Sequence, residues 1–451
     1  MWSRQSGSGR VAIAWAMTLI ASGCTGIDNL PLNAQAARPN FIEAPPIGAA
    51  VSAPAKADDR LIAVVLSGGG SRAAAFGWGA LRELAATPTE TGTLADQIGA
   101  VSGVSGGAIL GASFVLDGVE GLPAFRKRFL EVDVEAALRN GFGPANVARA
   151  LNGGVNDRRG LPRWLATNLL GEATFGDIEG AGKPRLLLHA TDLQNRAPFL
   201  FDQASFDTIC SDRDSFPLSE AVAASAAVPV LFAPVILRNY RDGCSFDPPP
   251  IPAAAPPSAL DTHLRRTMAR YGDLSENRYI KLNDGGLVDN LGTLGLILAA
   301  GRDSSKAAPF DAGRAFRAKR VLILVVDGST RVGRGANASL KGPGLGKTVL
   351  SAVDAMIDIA SRQSLDSLQR WLPVWRERLI AERCRRGLPD CRALRVDLVR
   401  IALEDLTDPV AARKFADSKA TLTLTPEMVD FFAGSAAELL RRDPVFQKFS
   451  R

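Results

Sequence analysis

Histidine is almost missing from this chain: 451 residues contain two, His189 and His263. A Ser-His-Asp triad needs a histidine on a loop facing its nucleophile. His189 instead lies inside the apolar run Leu186 to Ala190, and His263 follows a proline-rich stretch, so they read as a core and a surface histidine. Cysteine is scarce too, five residues with no Cys-x-x-Cys pair. Neither a zinc cluster nor a redox dithiol assembles from that supply, and a chemistry without metal is favoured. Lys and Arg are spread along the chain with no long basic run, despite a net charge of +6. Nucleic acid is therefore not the expected partner. No internal repeat is visible.

The apolar run Val11 to Ile20 falls well short of the about 20 residues that span a bilayer. Preceded by Arg4 and Arg10 and followed by Ala21-Ser22-Gly23-Cys24, it reads as a signal peptide over residues 1–23. Small residues before a cysteine resemble the lipobox of bacterial lipoproteins, with Ala21 where Leu is usual, and make Cys24 the acylated first residue of the mature chain. Plain secretion is the alternative. Thr25 gives no aspartate-type retention signal, so the expected location is the outer membrane, facing periplasm or cell surface. Residues 24–58, rich in Pro and Ala, read as a flexible tether without a fold. The four remaining cysteines lie in a compartment that permits disulfides. Proximity in sequence suggests Cys210 with Cys244 and Cys384 with Cys391.

Apolar content of 46% over such a length is enough for a substantial core in the body, residues 59–451. Leu61 to Leu66 is a continuous apolar run of strand length, passing through glycines into the helical stretch Ala73 to Leu84. Similar runs recur at Leu186 to Ala190, Tyr279 to Leu282 and Arg320 to Val326, separated by helical patterns such as Thr348 to Leu372. Buried strands alternating with helices predict an α/β sandwich with a largely parallel central sheet. The Pro-rich stretch 247–260 reads as a surface excursion, a lid loop or a solvated insertion.

Chemistry concentrates at three glycine-rich turns. Gly103-Val104-Ser105-Gly106-Gly107 is a Gly-x-Ser-x-Gly elbow, the sharp turn that projects a nucleophilic hydroxyl at a strand end ahead of a helix. Ser67-Gly68-Gly69-Gly70-Ser71-Arg72 ends the first strand. Its consecutive N–H groups suit an oxyanion hole, with Arg72 fixing the loop or favouring an anionic headgroup. Read as a dinucleotide fingerprint it is degenerate, because Ala73 stands at the third glycine position. Asn283-Asp284-Gly285-Gly286 places an aspartate on an open turn at a strand end, where it can serve as general base. Asp289 reads as a supporting or helix-capping residue. With no suitable histidine, a Ser105–Asp284 dyad fits the available groups. Gly342 to Thr348 imitates a phosphate loop but has Lys341 where the first glycine should be.

These three motifs in this order resemble the patatin-like phospholipase family. Further likeness lies in His189 to Leu193, Phe199 to Asp202 and Ala221 to Pro229. The resemblance is strong over residues 61–290 and weak over the helix-rich 291–451. It implies an α/β/α fold, a Ser105–Asp284 dyad, Gly68, Gly69 and Gly70 as the oxyanion loop, and hydrolysis of acyl esters of phospholipids or other lipids without calcium or another cofactor. Ser67 and Ala73 depart from the family's usual Asp and Gly. A general esterase or thioesterase, and a non-catalytic lipid-binding envelope lipoprotein, are the alternatives. No oligomeric state is implied.

Overall fold

The computed structural model describes residues 27–37, 58–138, 143–179, 182–244, 259–302, 306–329, 340, 344–406 and 422–451. The expected signal peptide, Cys24, most of the expected tether, nearly all of the Pro-rich excursion and part of the phosphate-loop mimic lie outside them.

The body opens with β1 (Arg60–Leu66), every residue of it buried, and turns directly into α1 (Gly70–Ala86). There follow β2 (Ile98–Gly103), α2 (Gly106–Asp117), β3 (Arg185–Asp192), β4 (Ala197–Leu200), α3 (Leu218–Ser225), β5 (Val235–Arg238) and β6 (Tyr279–Asn283). The C-terminal part supplies α4 (Thr293–Arg302), β7 (Arg320–Asp327), α5 (Leu345–Arg385), β8 (Arg395–Ala402) and α6 (Pro426–Arg442). The sheet order is β8-β7-β1-β2-β3-β6-β5, with β4 also paired to β3. Strands β8, β7, β1, β2 and β3 are mutually parallel, whereas β6 and β4 each pair antiparallel with β3, and β5 pairs antiparallel with β6.

Alternation along β1 shows why its run is continuously apolar. Ile62, Val64 and Leu66 enter a core shared with α1, α2 and α6. Leu61, Ala63 and Val65 enter a second core with α4 and α5 on the opposite face. Successive side chains of a strand point to opposite faces, so helices on both sides require apolar residues at every position. The result is a three-layer α/β/α sandwich. Among the described residues no helix is long and apolar enough to cross a membrane.

The tether reading needs a correction. Residues 27–37 dock on the body: Ala34–Gln35 pairs with Ser211–Asp212, and the Asn33 side chain, buried, donates to Ser211 Oγ at 2.9 Å and to the Arg238 carbonyl at 2.8 Å. Backbone pairing and polar side chains do most of the holding of this segment, so its composition carries no hydrophobic period that would announce it. Helix α5 also runs on through Pro373, well beyond the expected end.

Candidate active site

Strand β2 ends at Gly103 and α2 begins at Gly106, leaving Val104 and Ser105 to make the whole turn. Ser105 pays for its projection with φ 52° and ψ −119°, a conformation that costs a non-glycine residue on the order of 1–3 kcal/mol unless its surroundings impose it. They do so here. Val104 N–H donates to the Leu66 carbonyl at 3.1 Å, Gly107 N–H to the Val104 carbonyl at 2.8 Å, and Ser105 N–H to Ser225 Oγ at 3.2 Å. A Cβ on Gly106 would overlap the Gly70 carbonyl oxygen, so the elbow and the glycine loop approach closely only because that position has no side chain. Ser105 alone of residues 103–107 is partly exposed.

Strand β6 delivers Asp284 to the same place, where the Ser105 hydroxyl is close enough to act on its carboxyl. Asp284 is held on every side. Its N–H donates to the Ala227 carbonyl at 2.9 Å, its carbonyl accepts from Thr191 Oγ at 2.8 Å, and its Oδ1 accepts from Gly286 N–H at 2.7 Å. Gly285 N–H anchors the turn on the Ser225 carbonyl at 3.1 Å. The end of α3 and the residues after it thus grip both dyad members, the Ser105 main chain through Ser225 and Asp284 through Ala227. Burial pushes the Asp284 carboxyl up to about 6, only partly offset by the Gly286 N–H and the Ser105 hydroxyl. A carboxylate at that value is ionised at neutral pH and far more basic than an ordinary one, as a general base requires.

The glycine loop lies where an oxyanion would form, but one of its three expected donors is engaged. Gly68 N–H donates to the Asn290 carbonyl at 2.8 Å. The N–H groups of Gly69 and Gly70 stand at the start of α1, where a helix has no internal acceptors for its first donors. Arg72 is fully buried and its Nε donates to the Gly328 carbonyl at 3.2 Å. Ser67 Oγ accepts from Gly328 N–H at 2.9 Å. Arg72 therefore fixes the loop against the end of β7, and in this position it is not presented to a headgroup.

Neither histidine reaches the dyad. His189 Nε2 is 3.1 Å from the Asp289 carbonyl oxygen, and His263 Nε2, on another helix, is 3.0 Å from the Arg196 carbonyl. Asp289 accepts from Leu294 N–H at 2.6 Å and so caps α4. Disulfides join Cys210 to Cys244 and Cys384 to Cys391, both away from the site. Among the described residues no group of three metal-ligating side chains occurs. Asn290 is the residue that sequence reasoning passed over: its carbonyl holds Gly68, and its amide oxygen lies against both Gly68 and Gly286. Its place at the end of the Asp-Gly-Gly stretch was the only signal.

Among solved structures, human GIVD cytosolic phospholipase A2 is similar at 13% identity, over 84% of this chain and 60% of that one, with a TM-score of 0.37. The present chain thus spans well under two thirds of that protein's length. No curated protein sequence matches. The sequence model described as Patatin-like phospholipase matches residues 64–297, a little over half of the chain, from within β1 into α4, and so takes in the elbow, the glycine loop and the Asp-Gly-Gly turn. The chain belongs to the patatin-like phospholipase family.

Proposed function

We propose that this protein is a serine lipid acyl hydrolase that cleaves fatty-acyl esters of phospholipids or related lipids through Ser105 and Asp284. The observation that carries the reading is the meeting of a hydroxyl on a strained elbow with a buried carboxyl raised to about 6. Asp284 takes the Ser105 proton as Oγ attacks the ester carbonyl, forming a tetrahedral oxyanion. The N–H groups of Gly69 and Gly70 face that oxyanion at the positive end of α1, where one such donor contributes roughly 3–4 kcal/mol in the transition state. The intermediate collapses to an acyl-serine, and Asp284 returns the proton to the departing alcohol. Water then gives a proton to Asp284, attacks the acyl carbon and releases the fatty acid, and the proton goes back to Ser105. Every step uses groups of this chain. In the cell we place the protein in the bacterial envelope, anchored through an acylated Cys24.

The test is fatty-acid release from mixed phospholipid vesicles, with and without a calcium chelator, by wild type, Ser105→Ala and Asp284→Asn. Hydrolysis that survives the chelator and vanishes in both variants is expected. An inactive wild type, or either variant at near wild-type rate, sinks the mechanism. Equal rates on dispersed and aggregated substrate would favour a general esterase. Lipid retention with no hydrolysis at all would favour a lipid-binding lipoprotein.

A further inference from the structure

The segment that grips Asp284 does not stop at Ala227. It continues into Val228, Val230 and Leu231, which expose 42%, 64% and 50% of their surface. Residues 230–233 lie alongside 154–156: Val155 N–H donates to the Val230 carbonyl at 3.1 Å, Asn156 N–H to the Leu231 carbonyl at 2.9 Å, and Ala233 N–H back to the Asn156 carbonyl at 2.7 Å. The helix Pro144–Leu151 leads into this strip and carries Leu151, 84% exposed, and Val147, 52% exposed. The docked N-terminal segment adjoins it from the other direction. Asn29 Nδ2 donates to the Pro234 carbonyl at 2.8 Å, Asp28 N–H to Asp157 at 3.0 Å, and Arg158 N–H to the Asp28 carbonyl at 3.3 Å. That segment contributes Leu30 and Leu32, 73% and 47% exposed. Scattered single apolar residues on a surface mean little, but a cluster drawn from three segments beside a candidate active site marks an interaction surface.

Two observations choose its occupant. The first is the reach of the chain. Three peptide steps separate Cys24 from Ile27, whose side chain packs against the Gly153 turn of the same strip, and three residues span at most about 11 Å. Acyl chains on Cys24 would therefore enter a bilayer right beside this face. The second is charge. Three carboxylates face the strip's three arginines within the protein: Asp157 lies 2.8 and 2.6 Å from Arg149 and Arg159, and Glu220 and Asp28 lie 3.1 and 3.9 Å from Arg158. Beside the partly exposed Arg159 and Asp28, the large side chains that face outward are apolar, suited to insertion among lipid acyl chains rather than to electrostatic pairing with a charged partner.

We propose that Leu30, Leu32, Val147, Leu151, Val230 and Leu231 form the face by which the protein seats on a lipid bilayer, with the docked segment after Cys24 holding that face and the adjoining Ser105–Asp284 site against the membrane. The inference deepens the lipid-hydrolase reading and rests on it. A small cleft lined by Arg158, Leu161, Glu220, Ala223, Ala227 and Phe232 lies along the same strip.

The experiment uses the mature chain from residue 24 carrying Cys24→Ser, so that the face and not the anchor is measured. Sedimentation with equimolar phosphatidylcholine and phosphatidylglycerol vesicles is compared for this protein, for the triple change L30D, L151D, L231D, and for Val374→Asp, an exposed apolar residue on α5 outside the strip. The triple change is expected to lower partitioning at least tenfold and vesicle hydrolysis with it, while hydrolysis of a monomeric short-chain ester stays at the parent rate. Val374→Asp changes neither, and added salt has little effect on the parent. Wild-type partitioning by the triple variant, or equal weakening by Val374→Asp, overturns the proposal. Should the triple variant also lose the soluble-ester activity, an environment-sensitive dye on Leu151→Cys or on Val374→Cys decides: a blue shift with vesicles at 151 alone supports the face, and no shift at 151 refutes it. Partitioning is read independently of turnover, so a catalytically silent protein that still binds vesicles through this strip would sink the hydrolase reading and leave the docking face standing.

Discussion

The main-chain N–H of Gly68 donates to the main-chain carbonyl of Asn290 at 2.8 Å, tying the loop beside the nucleophile to the segment that follows the base. The contact fixes the separation of glycine loop and dyad, and it takes Gly68 out of the oxyanion-donor set. A Cβ on Gly68 would overlap Asn290 Oδ1 and come 3.4 Å from the Ser105 Cβ. Gly68→Ala is therefore expected to lower kcat/KM at least tenfold while the protein stays folded. Because the clashing atom is the end of a side chain, adding Asn290→Ala should recover part of the loss, and a double-mutant cycle on kcat/KM measures the coupling.

At the elbow the obstacle is backbone. Gly106→Ala would drive a Cβ into the Gly70 carbonyl oxygen, an atom fixed by the start of α1 that cannot swing aside. Hydrolysis should fall by a factor of a hundred or more. A near wild-type rate, with circular dichroism confirming the fold, would show that elbow and glycine loop need not touch.

Catalysis should follow ionisation of Asp284. With its carboxyl pushed up to about 6 by burial, kcat/KM for a soluble ester should rise tenfold per pH unit below about 6 and level off above it. A profile already flat down to pH 4 would mean that the base titrates like an exposed carboxyl.

The same shift has a stability consequence of opposite sense. The native state holds the Asp284 proton more tightly than the unfolded chain does, since about 6 lies above the ordinary 3.8. This contribution is fully present below 3.8 and is lost as pH rises through 6. Asp284→Asn, which removes the buried charge, should raise Tm relative to wild type at pH 8 and do so much less at pH 4.5. Equal differences at both values, by thermal melting, would contradict the burial argument.

Asp157 is the hub that docks the N-terminal segment. Burial alone would raise its carboxyl, but the Arg159 guanidinium, the Asp28 N–H and the Arg149 guanidinium outweigh burial and hold it well below the usual carboxylate range. Asp157→Ala leaves Arg149 buried without this partner and should cost about 3 kcal/mol or more in urea unfolding. It should also expose residues 27–37 to limited proteolysis. Unchanged protection of that segment would show that Asn33 and the Ala34–Gln35 pairing suffice.

How far the sequence could be read depended on how local each signal was. The strands at Leu61, Leu186, Tyr279 and Arg320 declared themselves because strands covered on both faces must be apolar throughout. Ile98–Gly103 escaped notice, although it carries the nucleophile, because Ile-Gly-Ala-Val-Ser-Gly is too small and glycine-rich to look like a strand. Its small residues suit the close packing at its end, where Gly103 faces the first turn of α2. Residues 27–37 read as tether in the sequence because a segment held by Asn33 and main-chain pairing has no periodic face to display.

By itself the sequence determined the pieces: an elbow at Ser105, a glycine turn at 68–70, an aspartate on an open turn at 284, and the buried strands that deliver them. Each is a local backbone requirement, written in neighbouring residues. Only the tertiary structure decided that Ser105 meets Asp284, that the end of α3 and the residues after it grip both, that Asn290 engages Gly68, and that the N-terminal segment comes to rest beside the site. Those outcomes depend on hydrogen bonds between groups far apart in the chain, most with a main-chain partner, and every residue but proline offers the same N–H and carbonyl. Only the Ser105–Asp284 pairing had side chains that could suggest it in advance; the main-chain partners did not.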